Sequence, residues 1–239
     1  MTGLKMRKFL IIIISLIIIA ALVAVYFVFI SPSPDAIRTR HVITWIRSNG
    51  ARTEWAIKPL DRCGDAPFVL PTYGLIGYVW DDSFRPGHRH QGIDIFAGTD
   101  VGVTPVYAAY DGYLTRQADW KSTVIIRIPS DPLVPGRQIW TYYTHMADGE
   151  GVSTIDPAFP PGSSEVFIKA GTLLGTQGNY SGSAGNPVGV HLHFSIVKDD
   201  GYGNYLNELE IGNTVDPSMY LGLNLNANDE PGMPIVCGK

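Results

Sequence analysis

Hydrophobic and polar positions divide the chain into three regimes. From Phe9 to Ile30 the sequence is apolar without a single charge. About 20 such residues cross a bilayer core as a helix, because backbone polar groups in lipid must be satisfied within the segment. A cleaved signal sequence would carry a shorter apolar stretch, about 7–15 residues, ending in small residues. This run ends instead in Tyr26-Phe27-Val28-Phe29-Ile30. The pattern predicts an uncleaved anchor. Lys5, Arg7 and Lys8 precede it, which keeps residues 1–8 in the cytoplasm and sends everything after Ser31 outside.

The second regime, residues 31–62, is a linker. Ser31-Pro32-Ser33-Pro34 is a stiff exit. Ser33 is placed to cap a helix with Pro34 at its first position. Ile37, Val42, Trp45 and Ile46 then fall on one side of a short amphipathic helix that runs from Asp35 to about Ser48 and stops at Gly50. His41 within it reads as a surface or packing residue.

The third regime, residues 63–239, has the period of strands. Strand patterns occur at 68–70, 75–80, 94–96, 105–109, 113–115, 123–128 and 138–146, and again from Gly189 to Val197. Asp111-Gly112 looks like a hairpin turn between two of them. Residues 148–164 are polar and rich in Pro and Gly, a long loop. Residues 216–221 make at most one helical turn. The expected fold is an antiparallel all-β sheet or sandwich, preceded by one transmembrane helix and a short linker helix.

Composition supports this picture. The 239 residues include 26 Gly and 17 Pro, more than a helical domain uses. Of 18 basic residues three flank the apolar run, leaving 15 against 22 acidic ones. An acidic exterior domain argues against a nucleic-acid partner. Cys63 and Cys237 bracket the third region. An exported compartment allows them to form a bridge; two free thiols are the alternative. No Cys-x-x-Cys spacing suggests a thiolate metal site.

The chemistry concentrates in the histidines. In Gly189-Val-His191-Leu-His193-Phe-Ser-Ile-Val197, residues two apart share a strand face, so His191 and His193 project together while Leu192 faces the core. His90-Gln-Gly-Ile-Asp94 puts an imidazole and a carboxylate four apart, with Gly92 permitting a turn between them. His90, Asp94 and His193 make three N/O ligands, and a catalytic zinc keeps three protein ligands and one open position. His145, on another strand, joins His191 as a second pair of imidazoles able to move a proton. His88 also forms a His-x-His pair with His90 and reads as a loop residue near the cleft. Tyr142 and Tyr143 alternate, so one is core and the other can face substrate. Asn179 and Ser181 read as turn residues with a possible place along the groove.

Together, His90-x-x-x-Asp94, Tyr143-Thr-His145 and His191-x-His193 resemble the signature of lysostaphin-type zinc metallopeptidases. Gly92-Ile-Asp-Ile95, Pro105-Val-Tyr-Ala108 and Lys169-Ala-Gly171 agree with it. The resemblance spans roughly Tyr73 to Leu221. It implies a duplicated-hybrid-motif β fold and hydrolysis of peptide bonds in peptidoglycan stems or cross-bridges. It assigns Zn2+ to His90, Asp94 and His193, and the catalytic pair to His145 and His191. Some members that have lost ligands regulate other hydrolases; this chain keeps all five positions. A regulatory wall-binding module and a zinc peptidase acting on a non-wall peptide are the competing readings. The segment from His145 to His191 is longer than the resemblance leads one to expect.

Overall fold

The computed structural model describes residues 2–26, 34–83, 87–229 and 234–238. The first helix, α1, covers Thr2–Val25, and the stretch Met6–Val25 is long and apolar enough to cross a membrane or to serve as a signal sequence. From Met6 to Val25 its side chains are exposed and pack on none of the described residues. The last residues of the apolar run, 27–30, and the expected Ser33 cap lie outside the described residues, as does part of the 81–87 loop.

The second helix, α2, covers Pro34–Arg47, close to the amphipathic stretch expected. Ten strands follow: β1 (Leu75–Tyr78), β2 (Ile93–Phe96), β3 (Pro105–Tyr107), β4 (Gly112–Thr115), β5 (Val124–Ile128), β6 (Ile139–Thr144), β7 (Val166–Ile168), β8 (Leu173–Thr176), β9 (Leu192–Lys198) and β10 (Thr214–Val215). A single turn of helix, α3 (Ser218–Leu221), comes after them. The main sheet runs β1-β2-β9-β6-β5-β4-β7, with β10 beside the far half of β9, and every named strand pairs antiparallel.

Two expectations are corrected. The hairpin at Asp111-Gly112 does not form, because β3 leaves the main sheet and pairs with β8 in a separate two-stranded ribbon, while β4 pairs with β5 and β7. Residues 68–70 are not a strand: Phe68 and Leu70 are buried, but the N–H groups of Phe68 and Val69 donate to the carbonyls of Tyr220 and Ala109 rather than to a ladder.

Alternation along the strands sorts the side chains between two faces. Ile93 and Ile95 of β2, Tyr143 of β6, and Leu192, Phe194 and Ile196 of β9 enter the main core, where Phe194 meets Tyr143 edge to face at 5.2 Å between ring centroids. Their neighbours point outward. At one end of this outer face, α2 packs Val42 and Trp45 onto Leu75 and Phe96. Further along, Trp120, Tyr142 and Tyr205 gather over Ile125, Trp140 and Val197. Between these clusters the sheet is open, and its floor carries the histidines.

The seat of α2 is specific. A Cβ at Gly77 would overlap Val42 Cγ2 and come within 2.7 Å of Phe96, so only glycine lets the helix lie flat on β1. Arg38 fastens it further: its Nε and Nη2 donate to Asp82 Oδ2 and Oδ1 at 2.9 and 2.8 Å, both side chains being buried. Residues 148–164 are not a free flap. Ile155 and Phe159 pack into the core, and the Arg116 guanidinium donates to Phe159 O and Ser153 Oγ. Cys63 and Cys237 are joined in a disulfide, with Cα atoms 5.1 Å apart.

Candidate metal centre and active site

Three adjacent strands place the site. Asp94 on β2 is directly opposite His193 on β9, which is in turn opposite Thr144 on β6. The β1–β2 connection returns His90 to this row, held by paired backbone bonds: His90 N donates to Asp82 O and Asp81 N donates to His90 O, each at 2.8 Å. His90 Nε2 then lies 3.1 Å from Asp94 Oδ1 and 3.1 Å from His193 Nδ1, while His193 Nδ1 is 2.9 Å from Asp94 Oδ1. Among the described residues this is the one group of three metal-ligating side chains that converges.

The chemistry of the donor set fits a cation. His90 Nδ1 contacts Val79 O at 3.1 Å, and a carbonyl only accepts, so the ring proton sits on Nδ1 and Nε2 keeps a lone pair. His193 does the reverse: Nε2 meets Glu208 Oε1 at 2.9 Å, leaving Nδ1 to face Asp94. Two imidazole nitrogens and a carboxylate oxygen therefore converge, three atoms of the kind that bind a cation. Four-coordinate zinc, with bonds of about 2.0–2.1 Å, separates its ligands by about 3.3 Å, close to this triangle's edges. Burial alone would raise the Asp94 carboxyl, but His90, His191 and His193 hold it well below the usual carboxylate range. Burial disfavours charge on His193 too, yet Glu208 and Asp94 outweigh it and push the ring up to about 10, so Nδ1 carries a proton toward Asp94 that a bound cation would displace. The same carboxylates make it a more basic metal ligand.

His191 and His145 stand beside the triangle. His191 Nδ1 contacts Gly189 O and His145 Nδ1 contacts Tyr180 O, both at 2.6 Å. Each carbonyl takes the Nδ1 proton and leaves Nε2 bare; His191 Nε2 lies 3.7 Å from Asp94 Oδ1. The two rings are 4.3 Å apart between centroids. Burial, with His191 next to it, pushes His145 down to about 3, and burial lowers His191 as well. Both are neutral at ordinary pH. His145 lies just past the end of β6 with φ of 72°, a left-handed conformation that costs a non-glycine residue energy and is concentrated at functional sites.

The family model for Peptidase family M23 matches residues 88–208, half of the chain. The chain belongs to peptidase family M23. Among solved structures it is similar to the lytM protein of Ruminococcus gnavus ATCC 29149, at 26% identity over 54% of this chain and 44% of that one, with a TM-score of 0.36. It is also similar to the catalytic domain of EnpA, a prophage-encoded M23 protein from Enterococcus faecalis, at 22% identity over 64% of this chain and 98% of that one, with a TM-score of 0.36. Lysostaphin is similar at 21% identity over 62% of this chain and 49% of its own, with a TM-score of 0.40. The chain thus spans about half the length of the lytM and lysostaphin chains. No curated protein matches it.

The five positions expected from the sequence all reach one cleft of about 640 Å³. His90, Asp94, His145, His191 and His193 line it together, and His88 lies at its edge with its ring 6.3 Å from that of His90. Tyr142 faces the cleft and Tyr143 is the core residue, as alternation requires. Ser181 lines the cleft; Asn179 does not. Sequence reading did not find Glu208, which comes from a loop 15 residues beyond His193 with no periodicity to mark it. It also missed the part α2 takes in the cleft wall through Val42 and Ile46, outside the family match altogether.

Proposed function

We propose that the protein is a zinc metalloendopeptidase that hydrolyses peptide bonds in peptidoglycan stems or cross-bridges, held at the outer face of the membrane by α1. The observation that carries this reading is the triangle of His90 Nε2, Asp94 Oδ1 and His193 Nδ1, edged by two neutral imidazoles. His90, Asp94 and His193 would hold the metal. When bound, zinc supplies Lewis acidity that makes water a competent nucleophile near neutral pH.

The protein's own groups do the rest. His191 and His145 offer bare Nε2 atoms next to the metal ligands, so one takes a proton from the attacking water and passes it to the departing amine. The carbonyls of Gly189 and Tyr180 hold the two rings in that tautomer. Glu208 fixes His193 so that Nδ1 remains the ligand atom. The open floor of the sheet leaves room for an extended peptide across the row.

The test uses the full chain in detergent, loaded with zinc and incubated with purified peptidoglycan. New amine termini that vanish on chelation are expected. His193→Ala should lose bound zinc by elemental analysis, whereas His145→Ala should retain it and release no amines. A wild-type protein that binds no zinc overturns the reading.

A further inference from the structure

The cleft has two unlike walls. On one side it is lined by the hydroxyl-bearing residues Ser122, Thr123, Tyr142 and Thr144, with the Thr123 and Thr144 hydroxyls bonded to each other at 2.7 Å. On the other, α2 contributes Val42 and Ile46, one helical turn apart, which join Phe96, Val188 and Gly189. A methyl placed on Gly189 would be 3.5 Å from the Phe96 ring and 3.9 Å from Ile46 Cδ1, so these groups form one continuous surface. This surface reaches the reacting groups directly, because the Phe96 ring stacks on His191 at 4.9 Å with 22° between planes. Val42 and Phe96 are already buried, while Ile46 and Val188 remain 43% and 39% exposed and are free to be covered. Among the described residues no lysine or arginine lines the cleft.

The geometry points to α2 as a built-in specificity element: with Phe96 and Val188 it forms a subsite that accepts a short aliphatic side chain, alanine to valine in size, on one flank of the scissile bond. A glycine would leave the patch bare. A charged side chain would be desolvated against it without a partner. The opposite flank, lined by hydroxyls, takes a polar residue. The inference rests on the peptidase reading and adds a substrate class to it. The helix is held for this role by the glycine seat at Gly77 and by the Arg38–Asp82 pair, neither of which lines the cleft.

The experiment measures kcat/KM of the zinc-loaded full chain on quenched fluorescent peptides bearing Gly, Ala, Val, Asp or Lys in turn on either side of the cleaved bond. On one side alanine should exceed glycine about 4-fold, the value of one buried methyl, and exceed aspartate by at least about 10-fold. Ile46→Asp should bring alanine within about 2-fold of glycine and raise the lysine peptide above both. Ile43→Asp, on the same helix but away from the cleft, should leave the order unchanged, which separates a lost subsite from a disturbed helix. Flat rates across the series on both sides, or an Ile46→Asp that slows every peptide equally, overturn the subsite and leave the peptidase standing. Cleavage of none of the peptides or of peptidoglycan, by a zinc-loaded protein, overturns the peptidase reading and the subsite with it.

Discussion

Replacing Arg38 by Met should destabilise the protein far more than the loss of a surface ion pair would. An exposed pair contributes about 0–1 kcal/mol. Here Arg38 and Asp82 are 4% and 1% exposed, and two donors meet two carboxylate oxygens at 2.9 and 2.8 Å. Removing the guanidinium strands a buried carboxylate, a loss of about 3–5 kcal/mol. For a protein of this size each kcal/mol lowers the melting temperature by about 2–4 °C, so a fall of about 6–20 °C is expected. Asp82 also carries the backbone bond that fixes His90, so zinc should dissociate more readily in the same variant. Adding Asp82→Asn removes the stranded charge while keeping an oxygen for the Ser83 N–H, and should restore more than half of the loss. Thermal unfolding in detergent, followed by circular dichroism, reads both variants. An Arg38→Met protein that melts within about 2 °C of wild type, or a double variant worse than the single one, would refute the reasoning.

Three other outcomes are expected. Glu208→Gln should weaken zinc binding about 10–100-fold, measured by competition with a chromophoric chelator, because the carboxylate that orients and polarises His193 is gone. His191→Ala should hold zinc with wild-type affinity in that same titration and yet release no amines from peptidoglycan, since the proposed mechanism gives proton transfer to His191 and the metal to His193. Asp131 links stability to acid: burial opposes its ionisation, but the Leu133 N–H, the Tyr220 hydroxyl and Arg137 outweigh burial and lower its carboxyl. A folded value below the unfolded one, about 3.9, gives stability that is complete above that pH and lost as pH falls through the folded value. The Asp131→Asn protein, less stable at neutral pH, should therefore lose less melting temperature than wild type between pH 5 and pH 3.

The parts of this molecule that were legible in the sequence are those written in local periods. The alternation in 191–197 placed His191 and His193 on one face because a strand repeats every two residues, and the structure has them there in β9 and at its mouth. The four-residue step from His90 to Asp94 was readable because a glycine lies inside it. Long-range choices were not readable. Nothing local tells Pro105–Tyr107 to pair with Leu173–Thr176 instead of its neighbour in sequence. Glu208 finds His193 through the path of a loop, and the amphipathic stretch in α2 gave a buried side without saying against what it would be buried. That surface depends on the space left at Gly77, 30 or more residues away from Val42 and Trp45. Ile46 shows the difference most clearly: its apolar character was plain, but its position at the rim of a cleft comes only from where the helix is seated.

The disulfide between Cys63 and Cys237 closes a loop with a sequence separation of 174, and all five signature residues lie inside it. A cross-link acts mainly on the unfolded chain, whose ends it forbids to separate. For a loop of this length the chain-entropy relation gives about 5 kcal/mol. Folded domains are stable by about 5–15 kcal/mol in all, so reduction would remove a third or more of the margin. The β domain would then be robust only in an oxidising compartment. A chain kept under reducing conditions would be the weaker folder, and a protein built this way reaches its full stability only once the bridge has closed.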